Sequence, residues 1–178
     1  MVKVISIVAL VSGILVAAVL MLAAGKPDTF RVERAMSIKA PPEKIFPLIN
    51  DLRSWRLWSP WEKKDPGMKR TYSGSASGKG AVYEWDGNKD VGKGRMEITD
   101  AAAPSKVVIK LDFIQPFEGH NIAEFTLLPK GDATNVTWAM HGPSPLLAKV
   151  MQTVMNMDKM IGDHFEAGLV NLKTAAEK

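Results

Sequence analysis

The sequence predicts an α+β domain in which a seven-stranded antiparallel sheet is covered by a long C-terminal helix. From Lys69 onward, apolar residues recur with a period of two in short segments separated by turns, a pattern typical of antiparallel strands. After Gly142 the apolar residues return to helical spacing. Because no helical segment interrupts the later strands, the C-terminal helix must cover the apolar face of the sheet.

An apolar run precedes the predicted domain. Residues Val4 to Ala24 carry no charge, and a helix of that length can cross a hydrocarbon layer about 30 Å thick. We expect a transmembrane anchor over residues 1–25, a linker over 26–29 and the domain over 30–178. The orientation signals conflict, and we expect a single-pass membrane protein with its domain on the outer (periplasmic or extracellular) face. The alternatives are a cleaved signal peptide and a buried core helix.

The first strand and a short helix come next. Residues from Phe30 to Ile38 alternate as a strand does, and Ala40-Pro41-Pro42 ends it. Pro42 suits the first turn of a helix because its missing N–H has no partner there. An amphipathic helix should therefore extend to Asn50.

A second short helix carries a tryptophan cluster. Asp51 can cap it, Pro60 breaks it, and Trp55, Trp58 and Trp61 lie within seven residues. These rings have three interpretations. They lock the short helices to the sheet, they line the mouth of a cavity, or they contact the membrane interface.

Six further strands follow in order, joined by short turns such as Asp86-Gly87-Asn88 and Lys130-Gly131-Asp132. Consecutive strands should pair as an antiparallel meander, with the first strand beside the last. The segments are Thr71-Tyr72, Ala81 to Trp85, Gly94 to Thr99, Val107 to Phe113, Ala123 to Leu127 and Val136 to Met140.

The C-terminal helix should begin after Ser144-Pro145, a cap followed by a favoured first residue. Its apolar stripe extends from Leu146 to Leu172. A kink is expected around residues 156–158, where Asp158 can cap a separate final helix.

The composition and motifs of the chain limit the classes of catalysis, cofactor and partner that we expect. The chain has no cysteine, which excludes disulfides and thiolate catalysis. Its basic residues are scattered, which argues against nucleic acid as a partner. Neither a metal-ligand motif nor a phosphate-binding glycine pattern occurs, so we expect no metal and no cofactor. Of His120, His141 and His164, the last is the best acid–base candidate. Adjacent Asp163 points about 100° away on a helix and cannot form a dyad with it.

Three motifs resemble the polyketide cyclase/dehydrase-like branch of the START-like (SRPBCC) superfamily. They are S-I-K-A-P-P-E-K-I-F-P-L-I-N-D-L, W-S-P-W-E-K and M-D-K-M-I-G-D-H-F-E-A-G-L-V-N-L. The resemblance extends from Phe30 to Leu172. It implies the helix-grip fold, in which a curved antiparallel sheet wraps a long C-terminal helix and encloses a hydrophobic cavity.

The resemblance also suggests which side chains would line that cavity, although the same residues could instead fill a solid core. The candidate ligand-binding residues are Trp58, Trp61, Trp85, Met96, Ile109, Leu111, Phe113, Phe125, Trp138, Met140, Ile161 and Phe165.

Three functions follow from these observations. We expect a membrane-tethered module that binds a hydrophobic small molecule, lipid-like or polyketide-like, in the helix-grip cavity. The first alternative is an enzyme of the cyclase/dehydrase type that uses the same cavity with His164 as an acid–base group. The second alternative is a protein-interaction domain with a collapsed cavity.

Overall fold

The computed structural model describes residues 2–178, with side chains described from residue 6 onward except at residues 8 and 9. A single 3-10 turn at Ser54–Leu57 accompanies the described helices and strands. In chain order these elements are α1 (Val2–Ala24), β1 (Thr29–Ile38), α2 (Pro42–Asn50), α3 (Pro60–Lys64), β2 (Lys69–Gly74), β3 (Ala81–Asp86), β4 (Lys93–Ala102), β5 (Lys106–Gln115), β6 (Gly119–Lys130), β7 (Ala133–Pro143), α4 (Leu146–Val154) and α5 (Met157–Ala176).

The seven strands form one antiparallel sheet in the order β1-β7-β6-β5-β4-β3-β2. This confirms the predicted meander and the placement of the first strand beside the last. In β1 and β7, Thr29 lies opposite Pro143 and Ile38 opposite Thr134. A register shift between β4 and β5 near Ile98 interrupts the ladder. Such irregularities bend a strand and increase the local twist of a sheet.

The last helix covers the sheet, as the sequence predicts, and it does so mainly over β1. Arg34 of β1 extends beneath α5, where its guanidinium pairs with Asp158 at 3.0 Å and with Glu166 at 2.9 Å. An added methyl group at Gly162 would overlap the Arg34 guanidinium. The absence of a side chain at Gly162 therefore lets the arginine pass under the helix and reach both carboxylates.

The predicted break before the final helix is confirmed, but its cap differs from the expected one. The Asn156 side chain accepts a hydrogen bond of 2.9 Å from the backbone N–H of Lys159. Asp158 was expected to cap this helix and instead pairs with Arg34. Either residue type can act as an N-cap, and the position of β1 determines which one is available.

The N-terminal segment requires a correction. Within the described residues, no helix is both long enough and apolar enough to cross a membrane, a span that takes about 20 predominantly apolar residues. The predicted transmembrane anchor, the single-pass membrane location and the placement of the domain on the outer face are therefore wrong. In the structure α1 packs against α4, and Ala23 near its C-terminal end is completely buried. Met1 lies outside the described residues.

Gly168 permits the close approach of α5 to the sheet. An added methyl group there would come within 2.7 Å of a ring carbon of Trp138 and 3.2 Å of Pro60 Cδ. We expect Gly168→Ala to lower the free energy of unfolding by about 1–3 kcal/mol, because overpacking outweighs the gain of roughly 1 kcal/mol in helix propensity. Urea unfolding followed by circular dichroism measures this change. Gly67→Ala is the control, since its methyl group would meet no atom closer than 3.6 Å. Equal effects of the two substitutions would contradict the prediction.

Candidate functional site: an aromatic layer beneath a short lid

Six rings form a continuous layer between the sheet and α5, here called the aromatic layer. Trp138 lies at its centre and stacks on Phe165 at 4.2 Å with an interplanar angle of 8°. Its other stacking partner is Phe125, at 4.9 Å and 28°. The edges of three more rings meet Trp138 at centroid distances between 5.5 and 6.1 Å. The members of the layer are Trp55, Trp58, Trp61, Phe125, Trp138 and Phe165.

Three separate parts of the chain supply these rings. Phe125 and Trp138 are direct cross-strand partners on β6 and β7, and the alternation of each strand turns both side chains inward. Phe165 comes from the buried face of α5. The tryptophans come from residues 51–64, which include the 3-10 turn and α3 and are here called the lid.

Two of the lid tryptophans lock the short helices in place. The indole N–H of Trp55 donates to the carbonyl of Ile49 at 2.9 Å, and that of Trp58 donates to the carbonyl of Leu48 at 2.8 Å. Both rings are buried. Both rings also meet Phe125 and Trp138 of the sheet. Buried indoles generally need such an acceptor, and here the C-terminal part of α2 provides it.

Trp61 occupies a different position, at the edge of the aromatic layer. Its ring is only partly buried and lies edge-on to Trp138 at 5.8 Å, to His164 at 5.7 Å and to Phe165 at 6.5 Å. Trp61 is thus the outermost ring that covers Trp138.

A buried ion pair holds the lid to the sheet. Glu62 of α3 lies 2.7 Å from the guanidinium of Arg70 on β2, and the Tyr83 hydroxyl donates to the same carboxylate at 3.0 Å. The Glu62 side chain is only 8% exposed. Burial, followed by the neighbouring Glu62 charge, raises the pKa of Tyr83 above its usual range, so this phenol remains a hydrogen-bond donor.

Sequence reasoning missed this ion pair, although one signal pointed to it. Arg70 lies two residues before Tyr72 on β2 and therefore on the same face of the sheet. A cation on an inward face needs a buried counter-charge. Glu62 meets that need from an element eight residues earlier.

The other predicted ligand-binding residues lie on the inward face of the sheet, except Ile161, which lies on α5. Tyr83 stacks on Trp85 at 6.0 Å, and Trp85 meets Phe113 edge-on at 6.1 Å. Trp85, Met96, Ile109 and Met140 are buried. Leu111, Phe113 and Ile161 are partly buried and pack against the core.

Among the described residues, three buried polar atoms lack a hydrogen-bond partner: Trp138 Nε1, Tyr72 Oη and Asn50 Oδ1. The Trp138 atom is a donor at the centre of the aromatic layer. The Tyr72 atom lies on β2, directly opposite Tyr83. Unpartnered polar atoms are rare in folded proteins and call for an explanation.

His164 lies at the border of the aromatic layer. Its Nε2 accepts a hydrogen bond of 2.9 Å from the Lys64 ammonium. Burial, followed by the positive charge of Lys64, lowers the pKa of His164, which favours the neutral imidazole. Asp163 pairs instead with Lys159 at 2.7 Å, so the dyad that helix geometry excluded is indeed not formed.

The pKa shift of His164 predicts a pH dependence. The unfolded state binds a proton near the ordinary pKa of 6.5 while the folded state resists it, so stability should fall as the pH drops below that value.

We expect Lys64→Met to move the pKa of His164 upward in an NMR titration. Lys63→Met is the matched control, because Lys63 lies near Asn171 instead. A pKa that is unchanged in Lys64→Met would show that this lysine does not govern the imidazole.

The lid ion pair predicts that the loss of a buried carboxylate lowers the free energy of unfolding more than the loss of an exposed one. We expect Glu62→Gln to lower the free energy of unfolding by about 3 kcal/mol, because it leaves the Arg70 charge poorly compensated in a buried site. Glu33→Gln removes an exposed partner of Arg31 and should cost less than about 1 kcal/mol. Urea denaturation of both variants measures the difference. Similar losses would show that Glu62 contributes no more than a surface ion pair.

Comparison with known proteins agrees with this architecture. Residues 29–177 match the family described as "Polyketide cyclase / dehydrase and lipid transport". No protein of curated function matches the sequence.

Several solved structures share the fold. The crystal structure of a protein from Chromobacterium violaceum is similar at 16% identity, with a TM-score of 0.58 over 85% of this chain and 99% of the other. The Aha1 dimer from Colwellia psychrerythraea gives 19% identity and a TM-score of 0.57 over 83% and 96% of the two chains. The di-domain ARO/CYC BexL of the BE-7585A biosynthetic pathway gives 14% identity and a TM-score of 0.62, over 89% of this chain and 53% of BexL.

Identities this low establish the fold, while the family match extends over nearly all of the chain that follows α1. A seven-stranded antiparallel sheet that packs on a C-terminal helix is the architecture expected for such a match. The chain belongs to the polyketide cyclase/dehydrase and lipid transport family.

Proposed function

We propose that this protein binds an apolar small molecule, lipid-like or polyketide-like, between the sheet and α5 and beneath the lid. The observation that carries the proposal is the indole N–H of Trp138, a buried donor without an acceptor at the centre of the aromatic layer. The description of the family, which names polyketide cyclases and lipid transport, supports the same class of ligand.

The unpartnered donor gives the site a chemical preference. A buried N–H without an acceptor costs about 1–3 kcal/mol, and a carbonyl or phenolic oxygen on the ligand would recover that free energy. Trp61 meets Trp138 and Phe165 edge-on, and an aromatic ring system on the ligand could take the same place, since aromatic rings also pair favourably in that geometry. A ligand with fused rings and one inward oxygen acceptor suits both features.

Entry requires the lid to move, because the rings of the aromatic layer are in mutual contact. Trp61 is the first ring to be displaced, since it is partly exposed and α3 is only five residues long. Its displacement would uncover Trp138 and Phe165 together. The Glu62–Arg70 pair opposes that motion and keeps the free protein closed.

A second candidate is a protein-interaction domain with a collapsed interior. The packing of Trp138 between Phe125 and Phe165, at 4.9 and 4.2 Å, favours it. A cyclase- or dehydrase-type reaction would use the same interior with His164 as the acid–base group. The Nε2 atom of that imidazole is already engaged by Lys64.

A fluorescence titration of the full chain with N-phenyl-1-naphthylamine, a neutral two-ring probe, tests the proposal. We expect saturable binding of one probe per chain, with energy transfer from the tryptophans. Trp61→Ala should speed probe association several-fold, because it removes the outermost ring of the aromatic layer. Phe117→Ala is the matched control, since Phe117 is an exposed aromatic side chain outside the layer.

The absence of saturable binding, together with organic extracts of the purified protein that contain no apolar compound, would contradict the proposal in favour of the interaction domain. Probe association at the same rate in Trp61→Ala, Phe117→Ala and the unchanged protein would contradict entry past Trp61.

A further inference from the structure

A groove of about 530 Å³ lies on the outer side of the lid and is lined by Arg53, Ser54, Arg56 and Leu57. Both arginines are exposed, and Leu57 presents 65% of its surface to solvent. The groove therefore combines two guanidinium groups with an apolar side chain.

The two arginines differ from the other four in the chain. Arg31, Arg34, Arg70 and Arg95 each form an ion pair with a carboxylate. In the described part of the chain, neither Arg53 nor Arg56 does. Asp51 is near, but its carboxylate accepts from the backbone N–H of Arg53 at 2.9 Å and not from a guanidinium. Two uncompensated positive charges thus lie on the same turn of the lid.

The groove also adjoins one of the unpartnered buried atoms. The Arg53 guanidinium lies 5.0 Å from the centre of the Tyr72 ring and donates to the carbonyl of Ala76 at 3.1 Å. The Tyr72 hydroxyl is buried without a partner. Burial, followed by the negative charge of Glu62, raises the pKa of Tyr72, and the charges of Arg56, Arg70 and Arg53 act in the opposite direction.

Tyr72 connects the groove to the interior. Its ring stacks on Tyr83 at 5.0 Å and 21°, and Tyr83 stacks on Trp85. A row of rings thus leads from Arg53 across β2 and β3 on the inward face of the sheet. An elongated ligand could follow this row with its apolar part inside and a polar end at the groove.

We propose that Arg53 and Arg56 bind the oxyanion head of an amphiphilic ligand, with the Tyr72 hydroxyl as a further donor. This inference rests on the proposed function, because the apolar part of the ligand would occupy the interior. Guanidinium groups match carboxylate, sulfonate and phosphate oxygens in planar, paired hydrogen bonds. The ligand class is accordingly an anionic amphiphile.

Two probes with the same ring system distinguish binding of the anionic head from binding of the apolar part of the ligand. 1-Anilinonaphthalene-8-sulfonate carries an anionic group that N-phenyl-1-naphthylamine lacks. We expect the full chain to bind the sulfonate more tightly, and added salt to reduce that advantage. Arg53→Gln combined with Arg56→Gln should weaken sulfonate binding about tenfold, the size expected for losing charge-assisted hydrogen bonds at a partly exposed site. Binding of the neutral probe should not change.

Arg56→Gln alone keeps the experiment interpretable if the double variant folds poorly. Arg56 has no ion pair to lose within the described residues, so its substitution should spare the fold and still weaken sulfonate binding about threefold, roughly half of the free-energy effect of two charge-assisted bonds. Arg95→Gln combined with Lys106→Gln is the matched control. It removes the same number of positive charges from the outward face of the strands, where both residues pair with glutamates.

The outcomes distinguish this inference from the proposed function. Equal affinity for the two probes, or equal weakening of both by the arginine substitutions, overturns the oxyanion site and leaves the interior site intact. Binding of neither probe overturns both. Displacement of the sulfonate probe by inorganic phosphate, with the neutral probe retained, supports the site and shows that a free anion is sufficient. Displacement by decanoate and not by phosphate supports the site and shows that the head must be joined to an apolar chain.

Discussion

The contact between Trp138 and Phe165 is the interaction on which the rest of the structure depends. It joins β7 to α5 through two nearly parallel rings at 4.2 Å, and the small Gly168 lets the helix come that close. The lid tryptophans then pack their edges against the same indole. The contact therefore positions the last helix on the sheet and also forms the surface against which the lid packs.

Under the proposed function, stability and ligand binding would depend on the same residues of this interior. Aromatic pairs of this kind contribute about 0.5–1.5 kcal/mol beyond the area they bury, yet they enclose the Trp138 N–H without an acceptor. The lid shows the same conflict, because burying the Glu62–Arg70 pair has a desolvation penalty that can exceed the free energy gained from its attraction. Both features are more easily explained by a ligand that replaces some of these contacts than by stability alone.

The face of the sheet to which each strand residue points could be predicted from the sequence, whereas contacts between distant elements could not. Alternation along β5, β6 and β7 turned Ile109, Phe125 and Trp138 inward, as observed. The hydrogen bond between Lys64 and His164 joins residues 100 positions apart, and no local pattern specifies it. The N-terminal run was the clearest error. Its composition predicted a membrane span, whereas no helix within the described residues is long and apolar enough for one, and α1 packs against α4.

The sequence by itself determined the order of the elements, the sidedness of each strand and the concentration of tryptophan in the lid, because these follow from periodicity and from proline and glycine positions. Only the tertiary structure decided that, among the described residues, Trp55 and Trp58 have acceptors while Trp138 has none, and that Arg70 pairs with a carboxylate while Arg56 does not. Periodicity states which face a side chain occupies. Hydrogen bonds and ion pairs depend on distances across the interior, and those are set by how closely α5 and the lid approach the sheet.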